Sequence, residues 1–388
     1  MAQLSSRAMT ETGKIHQAQA EVLAQFNLQG TVGRVEPFGS GHIHDTFYVE
    51  TLENNSPDYL LQRINHHVFK DVAAVMKNIE LVTRHLRQRL VSIRGGRPDL
   101  EVLTLIPTHQ QKSFYKDGEE SSWRLFLFLK GTRGYDQVQT EQQAYEGGRA
   151  YGKFQALLTD LPVHHLQETI ADFHNIQSRY RLFQAALEKD PKGRAKDVVA
   201  EIQFARGREA QMSQILKLGQ EGKLPIRITH NDTKFNNVLL DADDRAQCVI
   251  DLDTVMPGYV AYDFGDAIRT IVNTASEDEK DLDKIHVNLG LFENFTRGYL
   301  EETTSFLTQG ELDSLVLGVT LLPFLMGLRF LTDYLDGDNY YKTEFESHNL
   351  QRARAQFRLV ELLEEKQQYL HNTIQKIATS SLGACPRI

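Results

Sequence analysis

At 388 residues the chain has room for two domains, and with 41% apolar and 24% charged residues it has the composition of an ordinary globular protein. A formal net charge of −9 leaves no basic excess to neutralise a nucleic-acid backbone, so nucleic-acid binding is excluded as a main function. Two cysteines, Cys248 and Cys385, make neither a disulfide framework nor a zinc site.

The polar stretch Met1–Ala20 has no signal-peptide core, and residues 1–14 read as a loose tail. A helix is predicted over Ile15–Phe26, with Val22, Leu23 and Phe26 on one face. Strand patterns follow at Val35–Phe38, Thr46–Glu50 and Tyr59–Ile64, with Glu53–Asp58 as the hairpin turn between the last two. Phe69–Arg89 has the periodicity of an amphipathic helix, with Val72, Val75, Met76, Ile79 and Leu86 on its apolar stripe. Leu100–Ile106 and Trp123–Leu129 read as further strands, separated by the polar loop Gln110–Ser122.

The pattern changes to helices after Lys130, at Gly131-Thr-Arg-Gly134. Helices are predicted over Glu141–Leu158, Asn175–Leu187, Asp197–Leu218, Asp281–Glu301, Glu311–Leu335 and His348–Ile377. Only Asp232–Asp253 is strand-rich in this half. The expected fold is therefore α+β: a small antiparallel-sheet lobe over residues 1–130 and a larger helical lobe over residues 131–388. The longest apolar run, Leu315–Leu328, is interrupted by Gly318, Thr320, Pro323 and Gly327 and is shorter than the ~20 residues that span a bilayer. A buried helix, no membrane span and a cytoplasmic location are expected.

The chemistry concentrates in His230-Asn-Asp232-Thr-Lys-Phe-Asn-Asn237, followed by the apolar strand Gln247–Ile250 and Asp251-Leu-Asp253. An Asp and an Asn five residues apart in a turn, with a strand delivering another Asp fourteen residues later, suit phosphoryl transfer. In that layout Asp232 accepts or orients the proton of the attacking hydroxyl. Asn237 and Asp251 offer oxygens to Mg2+, and His230 braces the loop. Asp253 binds a second metal, holds a substrate hydroxyl or caps the turn at Pro257-Gly258. Asp263-Phe-Gly265 copies a metal-binding triplet but precedes a predicted helix, Ala267–Asn273. Asp263 and Asp266 are expected to cap that helix or brace the loop.

In the first half, Gly39-Ser40-Gly41-His42-Ile-His44 lies between two strands, where glycines let backbone approach phosphate. His44 reaches phosphate or substrate, or sits on the surface. Arg63 is the candidate cation for the nucleotide phosphates, and Glu80 on the following helix is its expected partner. No Walker A, HExxH or GxSxG pattern occurs.

These residues resemble the aminoglycoside phosphotransferase family, the small-molecule branch of the protein-kinase-like fold, and most closely its N-acetylhexosamine 1-kinases. The matching segments are Gly41-His-Ile-His-Asp-Thr-Phe47, Leu61-Gln-Arg-Ile-Asn65, His230–Asn237, Ile250–Gly258, Tyr262-Asp-Phe-Gly-Asp266 and Arg329–Tyr340. His44 departs from the pattern, which has Asn there. The resemblance implies a bilobal fold, ATP and Mg2+, Asp232 as the base, and Asn237 and Asp251 as metal ligands. For the sugar-kinase subgroup it implies transfer to the anomeric hydroxyl of an N-acetylhexosamine, with Arg329 and Tyr340 holding the sugar. Kinases for aminoglycosides, homoserine or choline, and a nucleotide-binding protein without turnover, are the competing readings. Oligomeric state is not legible.

Overall fold

The computed structural model describes residues 19–39 and 43–384, with side chains to residue 381. Ser40, Gly41, His42, Cys385, the N-terminal tail and the start of the predicted first helix lie outside the described residues. The chain divides into two compact units, Met1–Thr132 and Arg133–Ile388.

The first unit is built on a six-stranded antiparallel sheet. Its strands are β1 (Val32–Pro37), β2 (Asp45–Thr51), β3 (Tyr59–Ile64), β4 (Leu105–Ile106), β5 (Tyr115–Lys116) and β6 (Ser122–Leu127), in the order β1-β2-β3-β6-β4, with β5 also on β6. Alternation sets the register. Val49 faces Tyr59, and Leu61 lies between Phe47 and Leu125. Their apolar side chains, with Trp123, bury Val22 and Leu23 of the first helix, which ends at Leu23 and not at the predicted Phe26, and also bury Phe26, which bridges to Thr108. The Val72–Ser92 helix starts later than its periodicity suggests, because Asp71 caps it by accepting from Ala74 N; Phe69 packs ahead of the cap. The predicted strand Leu100–Ile106 shrinks to β4, since Pro98 opens a helical turn, Pro98–Glu101, with Asp99 and Glu101 in it.

The second unit is largely helical. Helix Glu141–Leu157 packs on Leu289–Thr303 at backbone contact: a Cβ on Gly148 would lie 2.1 Å from Phe295 O, and one on Gly298 2.1 Å from Tyr145 O. The longest helix, Gln309–Asp336, begins at a Thr308/Glu311 capping box and ends at Gly337 in the left-handed region. It is the one helix among the described residues apolar and long enough to cross a membrane, and 78% of its most apolar window is buried within the protein. Four short strands form two antiparallel pairs: β7 (Arg227–Thr229) with β10 (Met256–Gly258), and between them in sequence the hairpin of β8 (Val238–Leu240) with β9 (Ala246–Val249).

Several predicted helices are re-cut. Asp197–Leu218 is three pieces, Val199–Gly207, Glu209–Met212 and Gln214–Gln220, broken at Arg208 and Ser213. Asp281–Glu301 starts only at Leu289, where Asn288 accepts from Leu291 N; Asp281 caps a single 3-10 turn instead. His348–Ile377 breaks at Lys366. The helix predicted from Ala267 already begins at Val260, so Asp263 and Asp266 lie inside it and do not cap it.

Candidate active site

Residues 230–237 join β7 to β8 and are held from three sides. Asp263, on the Val260–Ile271 helix, accepts the backbone N–H of His230 (2.8 Å) and of Asn231 (2.7 Å), and the amide of Gln155 (2.9 Å). Thr233 Oγ1 donates to Asp263 O, and Thr254 Oγ1 donates to His230 O. Asn231 occupies the left-handed region at φ 64°, which Asn tolerates, and its side-chain amide donates to Thr229 O and Thr254 O. Asp263 thus braces the loop, one of its two expected roles. Burial raises its pKa against the pull of His230 and the loop amides.

His230 is fully buried. Its Nδ1 accepts from Asp232 N (3.3 Å), which leaves Nε2 as the donor to Ile250 O (2.8 Å). The ring therefore ties the Asp232 backbone to the residue before Asp251.

Asp232 and Asn237 meet directly. Asn237 Nδ2 donates to Asp232 O (2.8 Å) and Oδ2 (3.2 Å), and Lys234 Nζ lies 3.1 Å from Oδ2. No described residue donates to Asp232 Oδ1 or to Asn237 Oδ1. Burial alone would raise the Asp232 pKa. The Lys234 ammonium, His230 and Arg269 outweigh it and hold the carboxyl below its ordinary value. Lys234 was not singled out by sequence reasoning, although its place two residues after Asp232 was visible.

Asp251 follows β9 and is tied to Asn237 through Ile250 N–H to Asn237 O (2.9 Å). Strand geometry ends before it. Asp251 is left-handed at φ 61° and opens the 3-10 turn Leu252–Thr254. Even so, carboxylate oxygens of Asp251 and Asp253 lie within 4.8 Å of each other. Burial, then Asp253 and Asp232, push the Asp251 pKa up to about 6. Two crowded carboxylates and a free amide oxygen are a hard-oxygen donor set that suits Mg2+ and lacks only positive charge. Lys234 supplies part of that charge to Asp251, whereas Arg269 is engaged elsewhere, with Nε and Nη2 both on Asp266 Oδ1 (3.0 and 2.9 Å) and Nη1 on Glu277.

His174 lies behind the loop, with Nε2 2.9 Å from Asn231 O. Burial, then the charges of Arg329 and Arg179, lower its pKa to about 4, so its ring is neutral at pH 7. Arg329 stands over the rings of Phe173, Tyr341 and Tyr340, at 5.6, 5.5 and 5.9 Å. It does not pair with Asp333 one turn on. That carboxylate accepts from the backbone N–H groups of Asn339, Tyr340 and Tyr341 and from the Asn349 amide. Tyr340 is 66% exposed and is not a core aromatic.

In the first unit, Gly39 is left-handed at φ 78°, with open space where a Cβ would stand. His44 Nδ1 accepts from Asn65 N (3.1 Å), and its ring stacks on Phe69. Arg63 does not pair with Glu80. Strand register sets it opposite Asp45, whose carboxylate takes Arg63 Nε at 2.7 Å as well as Nη2, while Glu80 is exposed on its helix. The buried cation of this sheet is Arg124 on β6, which donates to Gln62 Oε1 (2.9 Å); its alternation with Trp123 and Leu125 hid it among core positions.

A family model described as the phosphotransferase enzyme family matches residues 34–297, from β1 to the Leu289–Thr303 helix. The chain also resembles solved structures. A microcompartment-associated aminopropanol kinase superposes with a TM-score of 0.62 at 18% identity, covering 92% of this chain and 98% of its own. An aminoglycoside phosphotransferase from Alicyclobacillus acidocaldarius gives 0.59 at 10% identity, covering 93% and 96%. The amicoumacin kinase hAmiN, solved with AMP-PNP, Ca2+ and amicoumacin, gives 0.59 at 13% identity, covering 91% and 93%. At these identities the likeness speaks to fold: an antiparallel sheet followed by a larger helical part, the protein-kinase-like arrangement. With the family model spanning most of the chain and the Asp232 loop inside the matched region, the chain belongs to the phosphotransferase enzyme family.

Proposed function

We propose that this protein moves the γ-phosphate of ATP to the anomeric hydroxyl of an N-acetylhexosamine or a related sugar. The observation that carries the reading is the Asp232 carboxylate, held ionised by the Lys234 ammonium, with Oδ2 occupied and Oδ1 open beside Asn237. In this reading Oδ1 takes the proton of the acceptor hydroxyl as the oxygen–phosphorus bond forms. An anomeric hydroxyl is more acidic than an ordinary alcohol, so a carboxylate of lowered pKa suffices. Asn237 Oδ1 and Asp251 would hold Mg2+, with Asp253 as a further ligand or a partner for a substrate hydroxyl. When bound, the metal would offset charge on the phosphate oxygens. Lys234 keeps Asp232 charged and, in this reading, would also meet a phosphate oxygen. The turn at Gly39 and the cation Arg63 are assigned to the nucleotide, Arg63 with Asp45 as its carboxylate.

Amino-alcohol acceptors are the competing reading, since solved structures of this fold include the aminopropanol kinase and a choline kinase from Cryptosporidium parvum (TM-score 0.53, 16% identity, covering 90% of this chain and 93% of its own). A cationic acceptor needs free acid or an aromatic cage. Asp333 is committed to four donors and Asp338 to Arg194 (2.6 Å) and Asn349, and the rings of Phe173, Tyr340 and Tyr341 already face the Arg329 cation, which favours a sugar. The test is a phosphate-transfer assay with ATP over free N-acetylhexosamines, hexoses and amino alcohols, with the phosphorylated position read by phosphorus NMR. Phosphate at C1 of a sugar supports the proposal. Transfer confined to amino alcohols overturns it.

A further inference from the structure

A cavity of about 300 Å³ opens between the Ile176–Lys189 helix, the last turns of Gln309–Asp336 and the chain at 340–341, lined among others by Arg179, Lys189, Arg329, Asp336, Tyr340 and Tyr341. Its two guanidinium groups are poorly compensated. Arg179 donates from Nη2 to Phe173 O (2.8 Å), but its Nε is buried and unbonded. Arg329 touches the Met326 sulfur (3.6 Å) and three aromatic rings. Among the described residues neither has a carboxylate at ion-pair distance, and the buried Tyr341 hydroxyl also lacks a partner. Of the acids around them, Asp333 is saturated by four donors, Asp172 is turned to Asn175 Nδ2 (2.7 Å), and Asp336 lines the cavity without coming to ion-pair distance of either guanidinium. Burial, then the charge of Arg329, hold the Arg179 pKa down at about 10 against the weaker opposing effects of Tyr341, Tyr340 and Asp172.

Guanidinium groups only donate, and a buried donor left unbonded costs free energy that a ligand can return. We infer that this cavity is an anion site, in which Arg179 and Arg329 bridge a carboxylate or phosphate group of a ligand whose body lies along Tyr340 and Tyr341. The site backs onto the reaction loop. Phe173, whose carbonyl takes Arg179 Nη2 and whose ring lies under Arg329, is followed by His174, which bonds Asn231 O next to Asp232. The anion is therefore assigned to the acceptor, which narrows the related sugar of the proposed function to an acidic one. That assignment rests on the phosphotransferase reading; the anion site itself does not.

Calorimetry on the full chain without nucleotide tests it, with D-glucuronate, D-glucose, D-glucosamine and acetate as probes at pH 7. Glucuronate should bind roughly tenfold or more tightly than either other sugar. Arg179→Gln and Arg329→Gln should each remove that preference while ATP affinity, measured separately, stays intact and reports folding. Tyr341→Phe, which deletes a hydroxyl and little volume, should weaken glucuronate alone. Equal affinity for the three sugars, or a preference that survives both arginine variants, would overturn the proposal. Acetate binding as tightly as glucuronate would overturn the assignment to the acceptor and make this a receptor for free anions. Failure of the phosphotransferase reading would instead show as loss of phosphate transfer to every acceptor, with the glucuronate preference intact.

Discussion

Asp263 Oδ1 holds the backbone N–H of Asn231 at 2.7 Å, and Oδ2 holds that of His230 at 2.8 Å, so one carboxylate grips two consecutive peptide groups just ahead of Asp232. Those bonds fix a left-handed residue that the loop needs to turn Asp232 outward. In Asp263→Asn one acceptor becomes a donor facing other donors, Asn231 N at the Oδ1 position or His230 N and Gln155 Nε2 at the Oδ2 position. Losing a charged, buried acceptor should cost about 2–4 kcal/mol of stability, read from urea unfolding. Turnover should fall about 10²-fold through misplacement of Asp232, with ATP affinity nearly unchanged. Wild-type kcat in a variant that unfolds more easily would leave Asp263 a merely structural role.

Asp232→Asn removes the open oxygen assigned to the acceptor proton. It should bind ATP normally and lose ~10²-fold or more of kcat, measured by coupled assay for ADP release. The Lys234 ammonium should also lose its anchor, since Asp232 is the first cause of its raised pKa. Near-normal turnover would move the base elsewhere.

Much of this site was legible because its parts are close in sequence. Asp232, Asn237 and Asp251 sit in one loop and hairpin, so spacing alone carried them together. Asp263 was legible as structural, capping the following helix or bracing the loop, because its triplet stood in the wrong place to bind metal, and only the brace is found. What escaped depended on partners far along the chain. Arg63 was matched to Glu80 by analogy, whereas the β2–β3 register sets Asp45 opposite it. His174 comes at the end of an aperiodic stretch, where nothing marks which side chains turn inward, and Arg179, although on a predicted helix, carries no sign of the Arg329 it faces far along the chain. Helix ends moved wherever a cap several residues inside the periodic run, such as Asp71 or Asn288, satisfied the first amides.

The helix that carries Asp263 is set by a glycine crossing. A Cβ at Gly318 would lie 1.9 Å from Ala261 O, and one at Gly265 2.2 Å from Gly318 O. Both obstructing atoms are backbone, so no side chain can yield. Gly318→Ala should push the Val260–Ile271 helix off Gln309–Asp336 and cost about 1–3 kcal/mol or more. Because Asp263 rides on the displaced helix, kcat should fall as well, whereas Gly207→Ala, at a glycine with open space around it, should leave kcat unchanged. Equal kcat in the two variants would uncouple the crossing from the loop.

Acid stability of the first unit should depend on Asp58. Its buried carboxylate accepts from Tyr48 Oη (2.5 Å) and Thr51 N (3.0 Å) and pairs with Lys130 (2.8 Å). Burial pulls its pKa upward, but Lys130, Tyr48 and the Thr51 amide overcome it and set the value at about 2, against an ordinary 3.8. A carboxyl with a depressed folded pKa binds its proton more readily when unfolded. Its stabilisation is complete above about pH 4 and is lost as pH falls toward 2. The displacement corresponds to about 2 kcal/mol between those limits. Asp58→Asn should be destabilised at pH 7 and show a correspondingly weaker fall in stability between pH 4 and 2 than the parent chain, measured by denaturant unfolding at each pH. Parallel pH profiles for the two proteins would mean that Asp58 carries no net linkage and that the acid sensitivity lies with other carboxylates.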